Sequence, residues 1–281
     1  MRETDEELKE KIKDKIAPFK RKLISAIIGT VVTSIIGVFG AKEVIPKSPL
    51  EEAGEYMESD QFAEDVNKWQ NVAQLNVEAS KSLVGIYPDT KSEADNVNSS
   101  EYADATGVII DICNDKIVIA TSLSRIPGDK ICVQIAEQSD ISAVVRNIDS
   151  NTDVAIIIVN TEDLQTETLA LIKAVTPTSE DVKREMTAYG AAFYSDGNVG
   201  FLPADVTDAK YEQTLQDGQT LSLVEIGGKD EQAETNRIYY TENKEVLGIS
   251  FTGEVGNPEE GCDYILPIEI VLQIAGLDGN Q

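Results

Sequence analysis

From Ser82 onward the chain breaks into short β-branched runs, each closed by a turn signal and each too short for a helix of several turns. The first set is Leu83–Tyr87, Gly107–Cys113, Lys116–Ala120, Lys130–Ala136, Ser142–Ile148 and Val154–Val159. A second set follows as Glu185–Tyr189, Gly200–Asp208, Gln219–Ile226, Arg237–Thr241, Glu245–Ser250 and Cys262–Leu266. The sharpest signal is Ala105–Ser124, which reads as a β-hairpin turning at Asn114-Asp115. Such punctuation suits an antiparallel barrel or sandwich, and two similar halves predict paired barrels. The expected fold is therefore mostly β: two antiparallel β-barrels, preceded by a transmembrane helix and a helical stalk. Barrel one should span about 81–170 and barrel two about 171–267, with a closing helix over Ile268–Ala275. The polar segment Lys91–Ala103 reads as a surface loop.

Upstream the chemistry changes. Residues 1–22 are charged and helix-prone, a cytoplasmic basic tail with eight Lys/Arg against six acidic residues. Leu23–Ala41 then carries no charge at all, and a helix of this length at ~1.5 Å per residue crosses a bilayer's hydrocarbon core. The basic residues precede it, so the N-terminus is expected in the cytoplasm and the main domain outside a cell membrane crossed once. A cleaved signal peptide ending near Val38-Phe39-Gly40 is the competing reading. The apolar run exceeds the usual ~7–15-residue signal core, which favours an uncleaved anchor. Ser25, Gly29, Thr33, Gly37 and Ala41 recur every fourth residue, a line of small side chains along which two such helices could form a homodimer. Residues 42–80 read as a stalk. Ser48-Pro49-Leu50-Glu51 is a helix start, and Phe62, Val66, Trp69 and Ala73 fall on one face, there to pack on the following domain or on a partner stalk.

Charge and residue counts exclude several functions. The formal net charge is −26, and the sixteen basic and forty-four acidic residues after Ala41 place all of the excess in the exported part. An acidic surface repels phosphates, so no nucleic acid is expected as a partner. No D-x-[DN]-x-[DN]-G loop is present, and the chain has no histidine, so no cofactor and no metal is expected. Without histidine, no Ser-His-Asp or Cys-His relay can be built. Three cysteines rule out a disulfide-rich scaffold, leaving buried thiols or a single Cys113–Cys132 bridge with Cys262 unpaired.

Four segments carry a likeness to a known family. They are Asn76–Tyr87 (NVEASKSLVGIY), Ala105–Asp111 (ATGVIID), Asn151–Val159 (NTDVAIIIV), and Lys244–Ser250 (KEVLGIS) followed by Tyr264–Pro267 (YILP). In order and spacing the chain resembles the trypsin-like serine proteases of the membrane-anchored bacterial HtrA (Deg) type, from roughly Asn76 to Ala275. The resemblance implies a double barrel and a cleft between its halves. It puts the family's catalytic aspartate on Asp153, its histidine on Ser122 and its nucleophile on Thr235. A serine hydroxyl cannot accept a proton near neutral pH as imidazole does. The nucleophile motif's glycines are replaced around Thr235 by Ala233, Asn236 and Arg237, and Glu234 sets a negative charge beside a hole meant to hold one. No peptide-binding PDZ domain is expected after the closing helix.

The resulting expectation is a degenerate protease, or pseudoprotease: Ser122, Asp153 and Thr235 mark a triad that does not function, in a membrane-anchored module that binds a polypeptide or surface protein. One rival is an active serine-type hydrolase, with Ser122, Thr235 or Ser250 as nucleophile and Lys229 or Lys244 as base. The other is a structural stalk-and-head assembly protein.

Overall fold

The computed structural model describes residues 60–89, 103–128, 130–193, 199–215, 217–227, 236–253 and 262–277, with residues 60–69 described by backbone alone. The chain divides into two units, residues 1–69 and 70–281. The basic tail, the Leu23–Ala41 span with its line of small residues, and the start of the stalk lie outside the described residues, as do Lys229 and Thr235. Among the described residues, no helix is long and apolar enough to cross a membrane.

Among the described residues, twelve strands form two closed antiparallel barrels. Barrel one contains β1 (Leu83–Pro88), β2 (Ala105–Cys113), β3 (Lys116–Ser122), β4 (Ile131–Ile135), β5 (Gln138–Asp149) and β6 (Val154–Asn160). Barrel two contains β7 (Thr187–Phe193), β8 (Val199–Thr214), β9 (Thr220–Gly227), β10 (Ile238–Tyr240), β11 (Val246–Ser250) and β12 (Cys262–Pro267). Among the described residues, the helix α1 (Asp60–Ala79) precedes the barrels, α2 (Thr166–Leu171) lies between them in sequence, and α3 (Ile268–Ala275) follows them. Pairing runs β1-β2-β3-β6-β5-β4 in the first barrel, and β7-β8-β9-β12-β11-β10 in the second when read from its own first strand. The two halves thus share one strand order. Closure leaves no free sheet edge, which suits runs this rich in Ile and Val.

Local chemistry explains the turns. Asn114, at φ 49°, carries the tight link between β2 and β3, a conformation that Asn tolerates better than most residues. α3 follows β12 directly and stops at Gly276, whose φ of 72° presents its N–H to the Gln273 carbonyl.

Among the described residues, the core has three parts. All six strands of barrel one feed one cluster, including Val84, Ile109, Ile119, Val133, Ile141 and Ile157. All six strands of barrel two feed another, through Ala188, Val206, Val224, Tyr239, Leu247 and Ile265. The largest cluster joins the halves, with Leu83, Val108, Val118, Ala120 and Ile156 from one, and Phe193, Leu223, Tyr240, Ile249 and Leu266 from the other. Alternation along each strand produces this sharing: Ile117 and Ile119 face into barrel one, whereas Val118 and Ala120 face the seam.

α1 leads into β1. Leu75 and Ala79 are buried in the shared cluster, with Val72 packed beside them. Glu78 is held by Lys81 at 2.9 Å and Lys173 at 2.8 Å, and its carboxyl is lowered to about 2 by hydrogen bonds to Lys173 first and Lys81 second. The line of Phe62, Val66, Trp69 and Ala73 does not supply the docked face where side chains are described: Ala73 is exposed. The contact belongs to Val72, Leu75 and Ala79, which lie on a different side of the helix.

The Cys113–Cys132 bridge is also corrected. All three cysteines are free, and β1 lies between the strands that carry these two. Ile86 faces Ala105 while the adjacent Tyr87 faces Cys132, so Cys113 sits at the other end of β2, roughly 26 Å along the strand at ~3.3 Å per residue. A disulfide needs Cα atoms within ~7 Å.

Candidate functional site

The seam between the barrels holds two of the residues the sequence singles out, Ser122 and Asp153, together with several it does not. β3 ends at Ser122 and passes into a short 3₁₀ turn, Leu123–Arg125. Ser122 is fully buried in phase with Val118 and Ala120, and its hydroxyl donates to the Ser250 carbonyl at 3.4 Å, across the seam. Asp153 ends the β5–β6 turn with φ 57°, and its backbone carbonyl accepts the Leu123 N–H at 2.8 Å.

The Asp153 carboxylate turns to Ser124. Its Oδ1 accepts the Ser124 N–H at 2.8 Å and its Oδ2 accepts the Ser124 hydroxyl at 2.8 Å. Thr252, just past β11, donates its own hydroxyl to the same Oδ2, and the two hydroxyls stand 3.1 Å apart. An aspartate that accepts from a neighbouring N–H and from the side chain of the same residue is oriented to hold that side chain, as a triad aspartate holds its base. Here the held side chain is the Ser124 hydroxyl, two residues beyond Ser122. No described contact joins Asp153 to Ser122. The chemistry available is narrow: the hydroxyls donate, the carboxylate accepts, and neither hydroxyl can take a proton near neutral pH.

Deeper in the seam, Asn236 plugs the start of β10 onto barrel one. Its Oδ1 accepts the Thr106 N–H at 2.8 Å, and its Nδ2 donates to the Thr106 carbonyl at 2.7 Å and reaches the Thr121 hydroxyl at 3.4 Å. The Thr106 hydroxyl accepts the Phe193 N–H at 3.0 Å, and Thr121 donates to the Thr106 carbonyl at 2.9 Å. Asn236, Thr106 and Thr121 are all buried. The residue after Thr235 is thus a structural tie between the halves, while Thr235 itself lies outside the described residues.

The alternative nucleophile–lysine pairs find no support where they can be seen. Lys244 donates to Gln74 of α1 at 3.1 Å. The Ser250 hydroxyl accepts the Arg237 N–H at 2.9 Å, and no described bond links a lysine to Ser122 or Ser250. Ser124, Thr252 and Asn236 were not legible as site residues from motif spacing. Strand phase would have helped, since a period of two puts Ser122 beside Val118 and Ala120 and so inside the seam.

Solved structures share this architecture. A protease of Mycobacterium tuberculosis, Rv3671c, in an inactive form, is 18% identical over 73% of this chain and 92% of that one, with a TM-score of 0.51. Its serine-to-alanine variant, also in an inactive form, matches at 18% identity over 74% and 91%, with a TM-score of 0.52. The serine endoprotease of Yersinia pestis is 14% identical over 73% of this chain and 65% of that one, with a TM-score of 0.51. The chain has the double-barrel fold of these serine proteases. No protein-family profile matches the chain, and no curated protein does.

Proposed function

We propose that this chain is a protease-fold module without protease chemistry, anchored by Leu23–Ala41 with its main domain outside the membrane, where it binds a polypeptide or another surface protein. One observation carries the reading: the carboxylate in the triad aspartate's role holds the Ser124 hydroxyl, in a chain with no histidine. A base is needed to activate a hydroxyl nucleophile, and no second described residue at the seam replaces it. Asn236, the residue after Thr235, is spent on Thr106. A fold does not fix a function, and a degraded site on an intact double barrel leaves the cleft and loops as binding surface.

Fluorophosphonate labelling of the full chain in detergent tests the reading. No covalent adduct is expected. An adduct on Ser122, Ser124, Thr235 or Ser250 would overturn it in favour of the serine-type hydrolase. Crosslinking in the native membrane then identifies the partner, expected to be a protein.

A further inference from the structure

The barrels are tied together at two depths of the seam, and the ties differ in kind. The inner one is buried: Asn236, Thr106 and Thr121 satisfy one another away from water, so each bond keeps a polar group from being stranded. The outer one is open to solvent. Ser124 and Thr252 are exposed and Asp153 is half-buried, so water can replace either partner in their contact at little cost. Thr252 stands just past β11 in barrel two, whereas Ser124 and Asp153 belong to barrel one. Their hydroxyl–carboxylate contact therefore closes the mouth of the seam without being needed to join the halves. The charges are also unmatched. Asp153 is an anion, and its donors are the Ser124 N–H, the Ser124 hydroxyl and the Thr252 hydroxyl, all neutral. Among the described residues no lysine or arginine pairs with it.

We infer that Asp153, Ser124 and Thr252 form an autoinhibitory latch over the seam, and that a basic side chain of the bound polypeptide releases it by taking the Asp153 carboxylate from Thr252. The inference rests on the polypeptide-binding reading proposed above and adds to it the partner's chemistry and a gate. A lysine or arginine offers this carboxylate the same hydrogen bonds as a hydroxyl, plus an attraction between opposite charges. The wider surface favours the same class of partner. The residues after Ala41 hold forty-four acidic against sixteen basic side chains, so a basic segment is drawn in before contact and an acidic one is repelled. Once the cation is seated, Thr252 loses its acceptor and the segment just past β11 parts from the Asp153 turn. The inner tie through Asn236 is untouched, so the mouth opens while the barrels stay joined. A closed latch lowers the apparent affinity in proportion to the fraction of molecules that are open, so weakening it raises affinity without any new contact.

The test uses the full chain in detergent and two fluorescein-labelled decapeptide pools that differ at one central position, Lys or Gln, with uncharged residues elsewhere. Fluorescence anisotropy should show the Lys pool bound about five-fold more tightly than the Gln pool, an advantage that shrinks as salt is raised. Thr252→Val, which cannot bond Asp153, should tighten the Lys pool roughly three- to ten-fold. Asp153→Asn keeps an acceptor for Ser124 and tolerates the backbone φ of 57°, and it should erase the preference for Lys. Hydrogen exchange separates a latch from a support. In Thr252→Val the Ser124 amide, held by Asp153, should exchange about three-fold faster, with the Thr106 amide at the inner tie unchanged. Equal binding of the two pools, or no gain in Thr252→Val, overturns the inference and leaves polypeptide binding standing. Equal acceleration of both amides overturns it too, because the contact then supports the fold. A chain that binds neither pool in any variant overturns the inference and the binding reading together.

Discussion

Asn236 offers the most exacting check on how the two halves are joined. Its side chain acts as a short piece of backbone, giving and taking one hydrogen bond with Thr106 at 2.7 and 2.8 Å inside a buried seam. Asn236→Ala removes both bonds. The Thr106 carbonyl keeps the Thr121 hydroxyl as a donor, but the Thr106 N–H is left buried with no described partner. Two lost bonds at about 1 kcal/mol each, plus roughly 1 kcal/mol for the orphaned donor, give about 3 kcal/mol. For a body of this size that lowers Tm by roughly 6–12 °C. Asn236→Asp is the sharper variant. It keeps the acceptor for the Thr106 N–H but turns a buried carboxylate toward the Thr106 carbonyl, so at neutral pH it should cost more than alanine. Acidifying the sample protonates that carboxyl, restores a donor, and should recover part of the loss. Urea denaturation followed by tyrosine fluorescence at pH 7 and pH 5 measures both. An Asn236→Ala variant within about 0.5 kcal/mol of the wild type, or an aspartate variant no worse than alanine at pH 7, would refute the reasoning.

Three further outcomes are expected. Ser124→Ala and Thr252→Val share the Asp153 carboxylate, so a double-mutant cycle on urea stability should show coupling of roughly 0.5–1 kcal/mol, and strict additivity would deny the shared contact. Burial pushes the Tyr240 hydroxyl well above its ordinary value, so the unfolded chain loses that proton first. Its contribution is fully present below pH ~10 and is lost as pH rises beyond it; Tyr240→Phe should flatten the fall in urea midpoint between pH 9 and pH 11, and an unchanged slope would count against the assignment. At Gly248 an added methyl group would run into the Leu266 backbone carbonyl on the neighbouring strand. Gly248→Ala should therefore open the β11–β12 pairing and prevent soluble expression of the barrels, and a normally folded variant would contradict that contact.

Much of the fold was legible because the strands announce themselves. Runs such as Ile117–Ala120 and Val154–Val159 are β-branched, bounded by Asn, Asp and Gly, and matched strand for strand by a second set. The ends were less legible. β5 begins at Gln138 and β8 runs on to Thr214, past the last apolar residues of their runs, because pairing with a neighbour extends a strand into polar sequence. At the site, motif alignment marks Ser122, which β3 keeps as its last seam-facing residue, while the 3₁₀ turn carries the neighbouring Ser124 to Asp153. That contact joins residues 29 apart and has no local signature. In the sequence Asn236 stands out only as a residue that makes an oxyanion turn costly. Its bond to Thr106, 130 residues away, has no local signature. The docked side of α1, with Val72, Leu75 and Ala79, depended on the barrels it met.

The proposal that the seam carries out no peptide hydrolysis is tested most directly by incubating the full chain in detergent with an unfolded, chemically diverse protein mixture and counting new peptide termini by mass spectrometry. The predicted result is no new termini above a no-protein control, for the wild type and for Asp153→Ala alike. New termini that scale with protein concentration and disappear in Asp153→Ala would contradict the account and make the Asp153–Ser124 pair part of a working catalyst.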